Sequence, residues 1–221
     1  MIQSDIAGVL LVYIYVAILL LITEKLLNKY PTFSRKFLHI MVGNVAFLLP
    51  IFVTREIMAF VAAGPFIFLT FLMSPHSPIK SLKGKTSAAG HGMGLVYYTI
   101  TWTVFAYVFF DHKEIIAIGI IAMSYGDGFA SLIGRNFAKK KYKIYDMKKS
   151  YIGSFSLVIF TFFMGIVVLL YYGIDINLFV MGVLLLIAVC SMVAEIITPL
   201  GLDNLSVPFI ASFYYWMAMV M

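Results

Sequence analysis

EIIAIGIIAMSYGDGFASLIGR, residues 114–135, begins as a helix fit for hydrocarbon and ends as something else. Thirteen residues pass with one charge, and then Asp127 stands between Gly126 and Gly128. Seven cations follow: Arg135, Lys139, Lys140, Lys141, Lys143, Lys148 and Lys149. A charged side chain inside a bilayer costs on the order of 3 kcal/mol, so an acid there faces a polar cavity or a partner. Ser124, Ser131 and Gly134 lie at i−3, i+4 and i+7 from Asp127 and share its helical face, with Arg135 four residues beyond Ser131. The two glycines admit a ligand or another backbone. Such a face suits a Mg²⁺ ligand or a catalytic carboxylate, because Mg²⁺ takes one or two carboxylates together with phosphate oxygens. It also suits a structural acid paired with a buried cation, with the small residues serving helix packing.

The rest of the chain sets that helix in a membrane. Of 221 residues, 62% are hydrophobic and only 12% charged, where soluble domains carry about 25% charged residues. No polar stretch is long enough for a soluble domain, so residues 1–221 read as a single integral membrane domain. The first apolar run lacks a basic leader and a small-residue cleavage site and reads as a retained span. One cysteine, Cys190, excludes an internal disulfide, and the absence of HExxH or CxxC speaks against structural zinc.

The expected fold is all-α, a polytopic transmembrane helix bundle. Apolar runs predict helices at 5–23, 36–53, 56–73, 93–110, 114–134, 152–172, 176–197 and 205–221. That makes eight spans, or seven if the short last run does not cross, since about 20 helical residues span the roughly 30 Å hydrocarbon core. Fourteen of the sixteen Lys and Arg fall in the alternate loops 24–36, 74–92 and 135–151, while loop 198–204 has none. Arg55 and Lys113 stand on the opposite side. Positive loops stay inside, which puts these loops in the cytoplasm and both termini on the non-cytoplasmic side. Asp5, Glu56, Asp111, Glu114 and Asp175 then fall outside at span ends, where acids are unremarkable.

Four further stretches bear on chemistry. SRKFLHIMVG sets Arg35 and Lys36 four and three residues before His39, on one stripe, with Ser34 as a candidate N-cap. The imidazole suits proton transfer or phosphate contact, and the cations suit phosphate or simple interfacial snorkelling. Lys149-Ser150 and Gly153-Ser154 open the helix at 152–172. A helix N-terminus favours anions, although GxxxxGK[ST] is absent. AEIITPLGLDNLSVP carries a second intramembrane acid, Glu195, and then Asp203-Asn204, which either join the site or cap the last helix. KSLKGKTSAAGHGMG, residues 80–94, with His91, is a glycine- and lysine-rich loop that closes over phosphates or is merely flexible. The cluster Lys139–Lys143 suits anionic lipid headgroups, at about 1 kcal/mol per cation.

Asp127, Glu195, Asp203, His39, Arg35, Lys36 and Lys149 all fall toward the cytoplasmic side, an orientation taken from Lys and Arg alone. Acids that bind metal, ringed by cations and opening to the cytoplasm, suit phosphoryl transfer from a nucleotide to a membrane lipid. Asp127, Glu195 or His39 would accept the proton of the attacking hydroxyl. An ion-coupled transporter with Asp127 and Glu195 as ion ligands is the non-enzyme alternative, although no inverted repeat is visible.

The combination RKFLH-x₃-G, GDGFASLIGRNF, KKSYIGS and E-x₇-DN-x₃-P, running from Arg35 to Pro208, resembles the CTP-dependent lipid kinases. These comprise dolichol, polyprenol, phytol and farnesol kinases and a diacylglycerol kinase, relatives of phosphatidate cytidylyltransferase. The resemblance implies transfer of the γ-phosphate of CTP, with Mg²⁺, to a long-chain isoprenoid alcohol at the cytoplasmic face. Its alternatives are a cytidylyltransferase making a CDP-lipid and a diacylglycerol kinase. It implies catalytic roles for Asp127, His39 and Glu195 and metal ligation by Asp127, Asp203 and Glu195. Nucleotide contacts fall to Arg35, Lys36, Ser131, Gly134, Arg135, Lys149, Ser150, Gly153 and Asn204. The partners implied are CTP, a membrane isoprenoid alcohol and anionic headgroups, not nucleic acid. Ala138 departs from a frequent glycine, and Tyr151-Ile152 from a more polar pair. The cytidylyltransferases end in a histidine–glycine–glycine and double-aspartate signature. Here only Asp203-Asn204 stands at that end, which favours the kinase.

Overall fold

The computed structural model describes residues 2–79, 83, 93–144, 147–199 and 201–221. It is helical throughout, apart from one short hairpin. Most of the loop at 80–94, His91 included, lies outside the described residues. The chain divides into two compact units, Met1–Lys113 and Glu114–Met221.

The first unit contains α1 (Ile2–Leu21), α2 (Pro31–Val42), α3 (Pro65–Met73) and α4 (Gly94–Val108). α1 runs on through a π-helical turn, Ile22–Leu26, as one 25-residue apolar helix. The single span predicted at 36–53 is broken. α2 stops at Val42 and the chain continues in 3₁₀ turns, Gly43–Phe47 and Leu49–Ile51. Gly43 and Pro50 account for this, since Gly weakens a helix and Pro lacks the donor a continued α-helix needs. Ser34 does not cap α2 as predicted. The helix starts at Pro31, which suits a first helical position, and the Ser34 hydroxyl donates to the Thr23 carbonyl at 2.8 Å. Asp5 is not an incidental span-end acid either. It is fully buried and accepts from Val53 N–H, Thr54 N–H and the Thr54 hydroxyl at 2.9, 3.1 and 2.7 Å. These bonds tie the start of α1 to the turn after the 3₁₀ segment. Arg55 pairs with Asp111 at 2.6 Å, and the Lys113 ammonium lies 4.4 Å from the Phe110 ring.

The second unit opens with α5 (Lys113–Ile121), a π-helical turn (Ala122–Asp127) and α6 (Gly128–Phe137), together one 25-residue helix. An antiparallel hairpin follows, β1 (Lys141–Ile144) and β2 (Met147–Ser150), pairing Lys141 with Ser150 and Tyr142 with Lys149. Then come α7 (Tyr151–Tyr171), α8 (Leu178–Ile197) and α9 (Asp203–Met219). Among the described residues, four helices are long and apolar enough to cross a membrane: Ile2–Leu26, Lys113–Phe137, Tyr151–Tyr171 and Leu178–Ile197. Ile57–Met73 and Gly94–Val108 are shorter apolar helices. The outer faces of α1, α7 and α8 expose Leu10, Ile14, Phe155, Phe163, Phe179 and Leu185. Patches of that kind on long helices belong in lipid, and the chain is an all-α membrane protein.

Candidate active site

The second unit gathers its polar residues at one end of its helices. Small residues set the spacing. α6 and the π turn before it present Gly126, Ala130 and Gly134, four residues apart, to α7. A methyl group on Gly153 would lie 2.8 Å from the Ala130 carbonyl oxygen and 3.4 Å from Gly134 Cα. One on Gly134 would lie 2.6 Å from Ser150 Oγ. The two backbones therefore meet as in other small-residue helix pairs. Gly134 and Gly153, read from the sequence as phosphate contacts, are placed in this seam. Ser150 caps α7, its Oγ accepting from Gly153 N–H at 3.1 Å, so the predicted helix start at Lys149-Ser150 is where the sequence puts it.

The hairpin returns Lys149 toward α8. Its ammonium donates to Glu195 Oε1 at 2.6 Å and also to the Glu195 backbone carbonyl. The two side chains are 11% and 14% exposed, which makes this a largely desolvated pair. Asp127 and Asp203 both lie within electrostatic reach of the Glu195 carboxylate. Asp127 ends the π turn and is buried, at 6% exposure. Such turns occur often at functional sites. Asp203 opens α9, accepting from Asn204 N–H at 2.9 Å, and the Asn204 amide donates to the Gly201 carbonyl at 3.2 Å. Gly201 takes a left-handed φ of 83°, which lets the chain turn from α8 into α9. Asn204 thus braces this turn, in keeping with the capping alternative. Ser131 is half-buried and Arg135 exposed.

Three acids and a lysine at one end of a helical unit can hold a cation and an anion together. Among the described residues, no three His, Cys, Asp or Glu side chains form a ready metal cage. Mg²⁺ needs no such cage, because it binds through one or two carboxylates plus phosphate oxygens. Asp127 and Asp203, with Glu195 held by Lys149, fit that mode.

Sequence reasoning missed Tyr142. Its hydroxyl hydrogen-bonds with Ser154 Oγ at 2.6 Å, and its ring lies 4.8 Å from that of Tyr151. Burial pushes the phenol upward, with the Ser154 hydrogen bond pulling the other way, so it stays protonated. The signal was the alternation Lys141, Tyr142, Lys143, Ile144, polar out and apolar in, hidden within a run of charge.

In the first unit, α2 carries Arg35, Lys36 and His39 on the predicted stripe. Lys36 and His39 are buried, at 8% and 5% exposure, and Arg35 is half-buried. The His39 ring meets Tyr98 edge-on at 5.4 Å.

Comparison with known proteins adds a second line. The chain is 29% identical over 201 residues to a phytol kinase of Synechocystis, covering 88% of this chain and 84% of that protein. It is 33% identical to phytol kinase 1, chloroplastic, of Arabidopsis thaliana, over 79% of this chain and 62% of the relative. It is 31% identical to a probable chloroplastic phytol kinase of Triticum aestivum, over 85% of this chain and 67% of the relative. No protein-family model and no solved structure matches.

Proposed function

The chain belongs to the phytol kinase family, and from that premise we propose that it moves the γ-phosphate of CTP onto a long-chain isoprenoid alcohol at the cytoplasmic face of a membrane. The alcohol oxygen forms a bond to the γ-phosphorus, the bond from that phosphorus to the β–γ bridging oxygen breaks, and CDP leaves with the electron pair. The observation that carries this reading is the desolvated Lys149–Glu195 pair within reach of Asp127 and Asp203, at the start of α7. Loose phosphoryl transfer asks a protein mainly to position charge, and this end of the unit offers both signs.

Lys149 and the α7 N-terminus, with Ser150, meet nucleotide phosphates. Glu195 positions Lys149 and tempers its charge. Asp127 and Asp203 hold Mg²⁺, which when bound neutralises charge on the transferring group. Asn204 fixes the turn that carries Asp203. Ser131 and Arg135 extend the nucleotide contacts along α6. On α2 of the first unit, the motif resemblance assigns a catalytic role to His39, whose imidazole suits proton transfer, and phosphate contact to Arg35 and Lys36. The exposed lysines of the hairpin meet anionic headgroups. Eight spans with both termini on the non-cytoplasmic side complete the proposed topology.

The test is purified protein with Mg²⁺, phytol and one nucleoside triphosphate at a time, with phytyl monophosphate measured by mass spectrometry. CTP is expected to give most product. Product from ATP and not from CTP would overturn the donor. No product from any nucleotide, with phytol or with a longer polyprenol, would overturn the kinase.

A further inference from the structure

A cleft opens inside the first unit, walled by α1, α2, α3 and α4, and its accessible wall is apolar. Its lining resolves into levels. At the deep level Phe66 stacks on Trp102, ring centroids 6.1 Å apart, with Val16 and Val42 at the same height. The Tyr15 hydroxyl, donating to the Met41 carbonyl at 2.6 Å, fixes that height between α1 and α2. One turn along, Thr70 and Thr99 meet at 3.2 Å. Each hydroxyl also has a carbonyl of its own helix within reach, Phe66 at 2.7 Å and Val96 at 3.0 Å, so at most one of the two donates to the other. Farther along stand Leu20, Leu38, Met73 and Leu95, each toward the helix end that leads into loop 24–36 or 74–92. His39, against Tyr98, lies beside Leu38. Leu95 to Trp102 is seven residues, about 10 Å of helix.

We propose that this cleft is the acceptor site, holding the first isoprene units of the alcohol with the hydroxyl at the level of His39. The inference rests on the kinase reading above and names where its acceptor binds. A wall without accessible polar surface takes hydrocarbon and rejects a hydroxyl, which would lose its hydrogen bonds there. The hydroxyl therefore stays outside this apolar lining, at the end toward loops 24–36 and 74–92, beside the residue His39. Trp102 lines the cleft and is 2% exposed. A hydrocarbon chain gains no hydrophobic energy on leaving lipid. Selection must then come from packing, and a wall of rings and branched side chains favours a methyl-branched chain over a straight acyl tail.

The chain has two tryptophans, Trp102 and Trp216. Trp216→Phe leaves Trp102 as the reporter. The protein, in detergent and without nucleotide, is titrated with geranylgeraniol brominated across its terminal double bond. Saturable quenching is expected, displaced by phytol and at least about tenfold less well by hexadecanol. Quenching that does not saturate, or that hexadecanol displaces as well as phytol, means ordinary hydrocarbon partition and overturns the proposal. Thr99→Phe and, separately, Val42→Phe narrow the cleft at two heights and are expected to weaken displacement by phytol about tenfold. Unchanged displacement in both overturns it as well. Saturable, phytol-selective quenching in a protein that phosphorylates no alcohol would sink the kinase reading and leave the cleft assignment standing. Phosphorylation of phytol without saturable quenching would do the reverse.

Discussion

Asp127 and Glu195 stand out as residues because each is an acid set in an apolar helix. Burying an acid is costly enough to need a reason, and that alone made both legible in the sequence. If Asp127 shares Mg²⁺ with the nucleotide, Asp127→Asn removes a ligand charge at almost constant volume. Turnover with phytol is expected to fall at least about a hundredfold, on the scale of losing a catalytic group, with thermal unfolding in detergent little changed. The pairing of Glu195 with Lys149 was not legible. Forty-six residues separate them, and only the return of the hairpin and the docking of α8 bring them together. Breaking a largely buried pair leaves one charge unmatched, at about 3 kcal/mol. Lys149→Met is expected to cost that much, and Lys149→Met with Glu195→Gln to recover most of the stability but none of the activity. A double-mutant cycle on unfolding and turnover checks both halves. Recovery of activity in the double variant would remove Lys149 from the phosphate site.

Among the elements, the helices follow the sequence closely, because long apolar runs define a span almost regardless of context. Lys113–Phe137, Tyr151–Tyr171, Leu178–Ile197 and Asp203–Met219 lie within a few residues of their predicted positions. What the runs conceal is how helices change winding. The π turn at Ala122–Asp127 and the 3₁₀ turns after Gly43 depend on local crowding and on a proline rather than on hydrophobicity. The seam between α6 and α7 is a second feature visible only in three dimensions. At Gly153 a methyl group would meet backbone, the Ala130 carbonyl at 2.8 Å, so no side-chain rotation relieves it. Gly153→Ala is expected to cost about 1–3 kcal/mol by overpacking, and Ser150→Ala about 1 kcal/mol by loss of the cap. Thermal unfolding of each variant measures both. A neutral Gly153→Ala would return Gly153 to the role of an open phosphate contact.

For the whole molecule, the proposed topology rests on charge. Arg55 and Asp111 pair at one end of the first unit, with Lys113 against Phe110 nearby, so the two cations assigned to the non-cytoplasmic side do share an end. The single native cysteine makes the sidedness testable. In a Cys190→Ser background, Lys143→Cys is expected to react with a membrane-impermeant maleimide only from the cytoplasmic side. Asp175→Cys, between α7 and α8, is expected to react only from the other. The reverse pattern would invert the topology. Substrate chemistry was only partly legible from physics. Clustered acids and cations point to phosphate and metal, but CTP entered through the motif resemblance, and the alcohol depends on an apolar cleft whose four walls are far apart in sequence.

In the proposed reaction a phosphoryl group, not a nucleotidyl group, passes to an isoprenoid alcohol. The direct measurement is transfer of radiolabel to phytol by the purified protein with Mg²⁺ and CTP labelled at either the α- or the γ-phosphate. Label is predicted to reach the lipid from the γ position alone. Label arriving from the α position would mean cytidylyl transfer and would rule out the kinase reaction.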